Sequence, residues 1–155
     1  MREVAFEVMA SQSYVQVHGG AGDLAEWAVD RLRELEQWWS RFLPDSDITR
    51  ANLAAGAPVG VHPDTLAVVA RGIEGWRQTS GLFDLTVLPA LLDMGYTNSV
   101  TTDAPAPLVP GRVIGMTGFI GVDYMAGTLT VPATTALDLG GIGKGMAAEI
   151  GRAHV

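Results

Sequence analysis

Strand patterns in this chain occur in neighbouring pairs, and blocks of helical pattern separate the pairs. Apolar residues alternate over 4–8 and again over 15–17, which predicts two strands joined near residues 10–13. Further extended segments are predicted at 59–61, 119–123, 128–131 and 135–139, with a turn at 126–127. Because strands that follow each other closely pair as hairpins, this order favours an α+β fold over a doubly wound one. We expect a largely antiparallel sheet packed with helices.

Two long amphipathic helices are predicted between the strands. Apolar residues keep a helical period from about 23 to 41, and Asp23 with Glu26 three residues later forms a capping pair at the start. A second helix is predicted from about 63 to 79, and Gly81 follows as its C-terminal stop. Both helices carry one apolar stripe, so each is expected to pack one face on the sheet.

The segments 43–57 and 98–112 are polar and turn-prone, and they are predicted to be long loops. Loops on a rigid scaffold are where binding residues are expected. Asp84 and Thr86 follow the second helix directly. From the residues alone, Asp84 is interpreted as a cap for a following turn and Thr86 as a surface hydroxyl.

Composition argues against several classes of partner. Seventeen acidic residues against ten basic ones give a formal net charge of −7, with no run of lysine or arginine. Nucleic acids and anionic membranes are therefore poor partners. No apolar stretch is long enough to cross a bilayer, and the lack of cysteine rules out disulfides, cysteine-ligated zinc and lipid attached through cysteine. A length of 155 residues with 48% hydrophobic content suits one domain with a core.

A glycine-rich turn at residues 137–145, Leu-Asp-Leu-Gly-Gly-Ile-Gly-Lys-Gly, leads into a third predicted helix from about 144 to 155. Its backbone amides could approach a phosphate, and Lys144 would supply the countercharge. It is not a nucleotide P-loop, because Asp138 stands where that motif needs glycine and Gly145 where it needs serine or threonine. The alternative is a glycine turn that merely joins a strand to a helix.

Four segments in this order resemble the ApbE family of FAD:protein FMN transferases, also known as thiamine biosynthesis lipoproteins. They are Met-Ala-Ser at 9–11, Ser-Arg-Phe-Leu-Pro-Asp-Ser-Asp-Ile-Thr-Arg-Ala-Asn at 40–52, Ser-Gly-Leu-Phe-Asp-Leu-Thr-Val at 80–87 and Asp-Leu-Gly-Gly-Ile-Gly-Lys-Gly at 138–145. The resemblance implies that residues 1–155 are the N-terminal part of a single, incomplete ApbE-like domain. It also implies magnesium-dependent transfer of FMN from FAD to a threonine or serine hydroxyl of a target flavoprotein.

The resemblance assigns four residues to the flavin pocket. Met9 matches the first residue of the family's Met-Gly-Thr, while Ala10 departs from that pattern. Phe42 stands where the family often has a tyrosine beside the flavin, so stacking is retained and a hydroxyl hydrogen bond is lost. Ser46 and Asn52 match the serine and asparagine of a loop that closes over the cofactor.

Two further groups are implied to bind the rest of FAD. Phe83, Asp84 and Thr86 match a Phe-Asp-x-Thr segment, whose carboxylate can accept hydrogen bonds from ribityl or adenosine hydroxyls or from backbone amides. The pyrophosphate site and a magnesium ligand are implied at the glycine turn. There Asp138, Gly140, Gly141 and Lys144 are assigned to the cofactor, and the backbone carbonyl of Gly143 to Mg²⁺.

The catalytic residues stay unknown, because the family's catalytic histidine and remaining magnesium ligands lie in its second half. His154 and Glu149 match none of them. The chain is therefore expected to be part of a transferase whose missing C-terminal half is supplied elsewhere. The alternatives are a non-catalytic FAD-binding or assembly fragment that self-associates, a FAD pyrophosphatase of the same family, and a truncated chain that binds nothing.

The expected location is the cytoplasm as the chain stands. Many members of the family are lipoproteins anchored through a cysteine, which this chain lacks. The alternative is a membrane-anchored or periplasmic protein whose lipoprotein leader has been removed.

Overall fold

The computed structural model describes residues 1–19, 22–100 and 105–152. Within these ranges the chain forms the strands β1 Arg2–Val8, β2 Ser11–Val17, β3 Val59–Gly60, β4 Gly121–Asp123 and β5 Thr128–Thr130. The helices are α1 Leu24–Trp39, α2 Asp47–Leu53, α3 Pro63–Gln78, α4 Leu88–Asp93 and α5 Gly143–Arg152, with a 3₁₀ turn at Thr117–Phe119. Every strand pair in these ranges is antiparallel, which confirms the α+β prediction.

The first sheet is the hairpin of β1 and β2, which packs on α1. Its loop is only Met9 and Ala10, with φ of 51° and 54°. The predicted junction at 10–13 was therefore wrong by up to three residues. Two-residue hairpin loops need left-handed backbone that matches the strand twist, and neither residue is the glycine or asparagine that usually signals one.

The second sheet has the order β3-β5-β4, with Leu129 of the central strand opposite Val59 on one side and Val122 on the other. A turn between β4 and β5 is stabilised by Asp123, whose Oδ1 accepts hydrogen bonds from the amides of residues 125 and 126 at 2.9 Å. Gly127 completes the turn with φ of 66°, as the sequence predicted.

The core lies where α1, α2 and α3 meet the second sheet and the segment before α5. Its fully buried members include Leu35, Ile48, Val68, Leu85, Leu129 and Leu137. Gly72 lets α3 approach closely, because a Cβ at this position would lie 2.6 Å from both δ-carbons of Leu85. This contact places the segment after α3 directly over the core.

Both long helices have nearly their predicted ends, but one cap was wrong. Asp23 makes no side-chain capping hydrogen bond at the start of α1. Gly81, with φ of 85°, ends the turn after α3 and donates its amide to the carbonyl of Trp76 at 2.8 Å. The C-terminal stop predicted at this glycine is therefore confirmed.

Three other predictions need correction. The loop 43–57 contains α2, the strand predicted at 119–123 begins only at Gly121 because Thr117–Phe119 form the 3₁₀ turn, and the segment 135–139 belongs to no strand. The short helix α4 was not predicted. Helices of six or seven residues give too short a hydrophobic period to be recognised. Part of the loop at 98–112, residues 101–104, lies outside the described residues, as does the predicted end of the last helix at 153–155. Over the described ranges, no helix is long and apolar enough to cross a membrane.

Candidate functional site

Two of the segments quoted above lie side by side. The amide of Asp138 donates to the carbonyl of Leu85 at 2.9 Å, so the turn at 83–86 and the stretch before α5 are joined through their backbones. The ring of Phe83 reaches Gly141, where an added Cβ would lie 3.1 Å from the ring. The sequence prediction that these two segments form one site is therefore compatible with their placement.

Asp84 is the centre of a hydrogen-bond network. Its Oδ1 accepts from the amide and hydroxyl of Thr86, at 2.8 and 2.7 Å, and from the hydroxyl of Thr117. Its Oδ2 accepts from the amide of Gly115 at 2.8 Å. Thr86 is fully buried, and its hydroxyl also accepts from the amide of Met116 at 2.9 Å. Both carboxylate oxygens therefore already have protein donors that tie 84–86 to 115–117.

The pKa of Asp84 lies below its ordinary value of 3.8. Burial acts to raise the pKa, but hydrogen bonds from Thr117, Thr86 and Gly115 favour the charged form and together outweigh it. In the interval between the folded and unfolded pKa values the unfolded chain binds more protons than the folded one, so stability rises with pH there.

We therefore expect a pH dependence of stability that depends on Asp84. Its contribution to the free energy of unfolding should be fully present above the unfolded pKa and lost as the pH falls through the lower folded pKa. Urea unfolding of the native protein and of Asp84→Asn between pH 6 and pH 3 checks this. The difference between the two proteins should shrink towards pH 3, and Asp123→Asn, which keeps Asp84, should retain the wild-type fall. A difference that is independent of pH would contradict the assignment.

The side chain of Asn52 makes the two backbone hydrogen bonds to Leu137 that a neighbouring strand would otherwise make. Its Nδ2 donates to the carbonyl of Leu137 at 3.0 Å, and its Oδ1 accepts from the amide of Leu137 at 2.7 Å, across 85 positions of sequence. Asn52 is 2% exposed. The side-chain amide therefore satisfies the backbone of the extended segment that precedes the glycine turn.

Asp138 is held by Arg41 and in turn holds the glycine turn. Arg41 Nε lies 2.9 Å from Asp138 Oδ2, and Asp138 Oδ1 accepts from the amide of Gly140 at 2.7 Å. The guanidinium carbon of Arg41 also lies 4.1 Å from the ring centroid of Phe42. Contacts therefore link Phe42, which the resemblance assigns to the flavin, to Asp138 and Gly140, which it assigns to the glycine turn.

The start of α5 presents backbone donors to solvent. The amide of Gly143 donates to the carbonyl of Leu139 at 2.7 Å, but the amides of Gly141, Lys144 and Gly145 donate to no acceptor within the described ranges. Gly141 and Lys144 are both exposed, and none of the described residues pairs with the lysine. Unpaired amides at a helix start with a neighbouring cation are suited to an anion.

A cleft of about 420 Å³ lies beside this turn. It is formed by α3 and the glycine turn, and its lining includes Arg71, Gln78, Thr79, Phe83 and Ile142. The aromatic wall and mixed polar rim are suited to a flat, partly polar ligand.

Two predicted flavin residues have structural contacts. Ser46 is the N-cap of α2, where its Oγ accepts from the amide of Thr49 at 3.1 Å, and it is 1% exposed. Met9 packs on the core, and its amide donates to Glu36 Oε1 at 2.8 Å. Ser46 therefore shapes the loop beside Phe42, while Met9 fixes the hairpin turn on α1.

A family model for the ApbE family matches residues 5–154, which is almost the whole chain. The chain belongs to the ApbE family. No curated protein sequence matches this ApbE chain well enough to count as a relative. The segments on which the resemblance was recognised lie within the matched range, so the family prediction is confirmed.

Solved ApbE structures share the fold at low sequence identity. The ApbE protein of Thermotoga maritima superposes with a TM-score of 0.79 at 18% identity, over 98% of this chain and 51% of that one. The flavinyl transferase ApbE of Pseudomonas stutzeri gives 0.77 at 22% identity, over 98% and 53%. The flavin transferase ApbE of Vibrio cholerae gives 0.73 at 21% identity, over 99% and 53%. The ApbE chain described here spans about half the length of these structures.

Sequence reasoning missed two residues of the candidate site, Arg41 and Thr117. Arg41 is next to Phe42 within a quoted segment, so a cation beside the expected flavin residue was an available signal. Thr117 donates to Asp84 from 33 positions away, and nothing in its neighbourhood indicates that contact.

Proposed function

We propose that this ApbE chain is the N-terminal part of a FAD:protein FMN transferase, and that residues 1–155 belong to a single flavin transferase domain. The observation that carries the proposal is the start of α5, where the amides of Gly141, Lys144 and Gly145 and the side chain of Lys144 have no partner among the described residues. FAD is the expected substrate because its pyrophosphate supplies the anion that this arrangement suits. The solved neighbours named as flavin transferases support the same substrate class.

The proposed reaction transfers the FMN phosphoryl group from the pyrophosphate of FAD to a protein hydroxyl. The hydroxyl oxygen of a threonine or serine on the target flavoprotein attacks the FMN phosphorus, the bridging pyrophosphate bond breaks, and AMP leaves. The acceptor hydroxyl gives up its proton to a general base. The residues of this chain would bind the pyrophosphate, with Lys144 offsetting charge on its non-bridging oxygens.

Magnesium is implied by the family resemblance, but the described residues do not fit a magnesium shell by themselves. No group of three or more histidine, aspartate or glutamate side chains converges on one point within the described ranges. The nearest carboxylate to the glycine turn, Asp138, is occupied by Arg41 and by the amide of Gly140. The carbonyl of Gly143 would be a single ligand, whereas Mg²⁺ prefers six oxygens.

A second candidate function is FAD binding without transfer, by a non-catalytic portion of the family's domain. The specific observation that favours it is that the described residues leave amides open to an anion at the start of α5 but include no group of three or more histidine, aspartate or glutamate side chains that could hold a metal. Binding and transfer are separable by experiment. The native protein is mixed with FAD, Mg²⁺ and a domain that carries an acceptor threonine, and the acceptor is weighed by mass spectrometry. A gain of one FMN supports the transferase, bound FAD without that gain supports the second function, and no binding contradicts both.

Lys144→Met is expected to reduce FMN transfer by roughly 10- to 100-fold, because one charge on the pyrophosphate loses its partner. Lys144→Arg should recover part of the rate. The matched control is Arg33→Met, which removes another exposed cation, whose one ion pair among the described residues is with Asp30 on α1. Initial rates of FMN incorporation check the prediction, and equal rates for Lys144→Met and Arg33→Met would refute the role of the lysine.

A further inference from the structure

Arg41 lies at the junction of several segments that the proposed function uses. Its side chain is 10% exposed. Nε pairs with Asp138 Oδ2 at 2.9 Å, Nη2 donates to the carbonyl of Tyr96 at 2.8 Å, and the guanidinium plane covers one side of the Phe42 ring. One side chain therefore contacts the loop after α1, the turn after α4 and the stretch before α5.

Asp138 passes this restraint to the glycine turn. While Oδ2 pairs with Arg41, Oδ1 accepts from the amide of Gly140 two residues later, and the Asp138 amide is fixed on Leu85. A carboxylate whose two oxygens are held from opposite sides cannot rotate without breaking a hydrogen bond. The orientation of Gly140, and with it the exposed amide of Gly141, thus depends on the pair that Arg41 completes.

The charges make this dependence strong. The Asp138 side chain is only 12% exposed, so loss of the guanidinium would leave a largely buried carboxylate without a cation. Burial lowers the pKa of Arg41, while the charge and hydrogen bond of Asp138 act to raise it. Nη1 of Arg41 is also buried and has no acceptor among the described residues, so one nitrogen of the guanidinium stays without a hydrogen bond.

We infer that Arg41 is a positioning residue for FAD binding, which holds the glycine turn through Asp138 and orients Phe42. It acts through those residues and makes no contact with the reacting phosphorus. The FAD part of the inference rests on the proposed function, whereas the restraint on the turn does not. A lysine at this position could pair with Asp138, but it could not also reach Tyr96 in the same fork geometry.

The test compares the native protein with Arg41→Met and Arg41→Lys, with Arg33→Met as the matched control for loss of a cation on an exposed helix face. Amide hydrogen exchange is followed residue by residue over 138–143, and the affinity for FAD is measured by flavin fluorescence. Arg41→Met should exchange about tenfold faster at Gly140, because it removes the charged hydrogen bond that holds the carboxylate of Asp138, the acceptor of that amide. FAD affinity should fall by about the same factor, so the FAD concentration that half-saturates transfer should rise correspondingly.

Arg41→Lys should lie between the native protein and Arg41→Met in both measurements, and Arg33→Met should match the native protein. If all amides of Arg41→Met exchange faster because the fold has loosened, the exchange of Arg41→Lys decides whether Arg41 holds the glycine turn, since this variant keeps the cation. Faster exchange confined to 138–143 in the lysine variant supports the inference. Unchanged exchange in the turn overturns it, and so does a loosened turn with native FAD affinity. Failure of the native protein to bind FAD refutes the proposed function instead, while exchange still decides whether Arg41 holds the turn.

Discussion

Asp84→Ala is expected to lower the free energy of unfolding by about 3–4 kcal/mol in the absence of any flavin, because several donors lose a charged acceptor at once. The amide and buried hydroxyl of Thr86, the hydroxyl of Thr117 and the amide of Gly115 all donate to this carboxylate. Alanine can accept none of these bonds. Urea unfolding of the native protein at pH 7 measures the change.

Asp123→Ala is the matched control for this substitution. Asp123 also accepts two backbone amides, but they belong to its own exposed turn, so we expect a loss of about 1 kcal/mol or less. The two roles open to Asp84 give opposite results. A carboxylate reserved for ribityl or adenosine hydroxyls would leave stability unchanged and weaken only FAD binding, and that outcome would contradict the network described here.

Those elements of the fold that carry a complete local signal could be predicted. For α3, a helical period and the glycine stop at Gly81 agree, and for β4 and β5 the turn at 126–127 separates two apolar runs. The hairpin turn at Met9 and Ala10 had no such signal, because neither residue type favours left-handed backbone. Its position follows from pairing across the whole hairpin, which a local pattern does not contain.

The extended segment 135–139 shows a different limit of prediction. Its apolar run is typical of a strand, and Ala136, Leu137 and Leu139 are indeed buried. A strand, however, is defined by its backbone partner, and here a side-chain amide takes that place at Leu137. The pattern therefore predicted burial correctly and pairing wrongly.

The candidate site was predictable as a set of segments but not as a set of contacts. The family resemblance selected Phe42, Asp84 and Asp138 without indicating which partners they have. Those partners, Arg41 and Thr117, come from tertiary proximity. Ligand-binding roles for the resemblance-derived residues remain predictions, and the contacts show that several of them also stabilise the fold.

Ligand binding and stabilisation of the fold can be separated most clearly at Asn52. The resemblance assigns it to a loop over the cofactor, while both polar atoms of its side chain bond to the backbone of Leu137. Asn52→Leu keeps the size of the side chain but leaves a buried amide and a buried carbonyl of Leu137 unpaired. We expect a loss of about 3 kcal/mol in the free energy of unfolding without flavin. Urea unfolding measures it, and amide exchange at Leu137 should become faster.

Asn52→Asp sharpens this test because it is nearly isosteric. The carboxylate oxygen that replaces Nδ2 would face the carbonyl of Leu137 in a site that is 2% exposed, so we expect at least as large a loss at pH 7 as for leucine. The control is Gln16→Leu, which removes an exposed side-chain amide on β2 that donates to Glu3, and it should change stability by about 0.5 kcal/mol or less. Native stability for both Asn52 variants, together with weaker FAD binding, would instead assign the asparagine to the ligand. A loss of stability without flavin would assign Asn52 to holding the backbone that leads into the glycine turn.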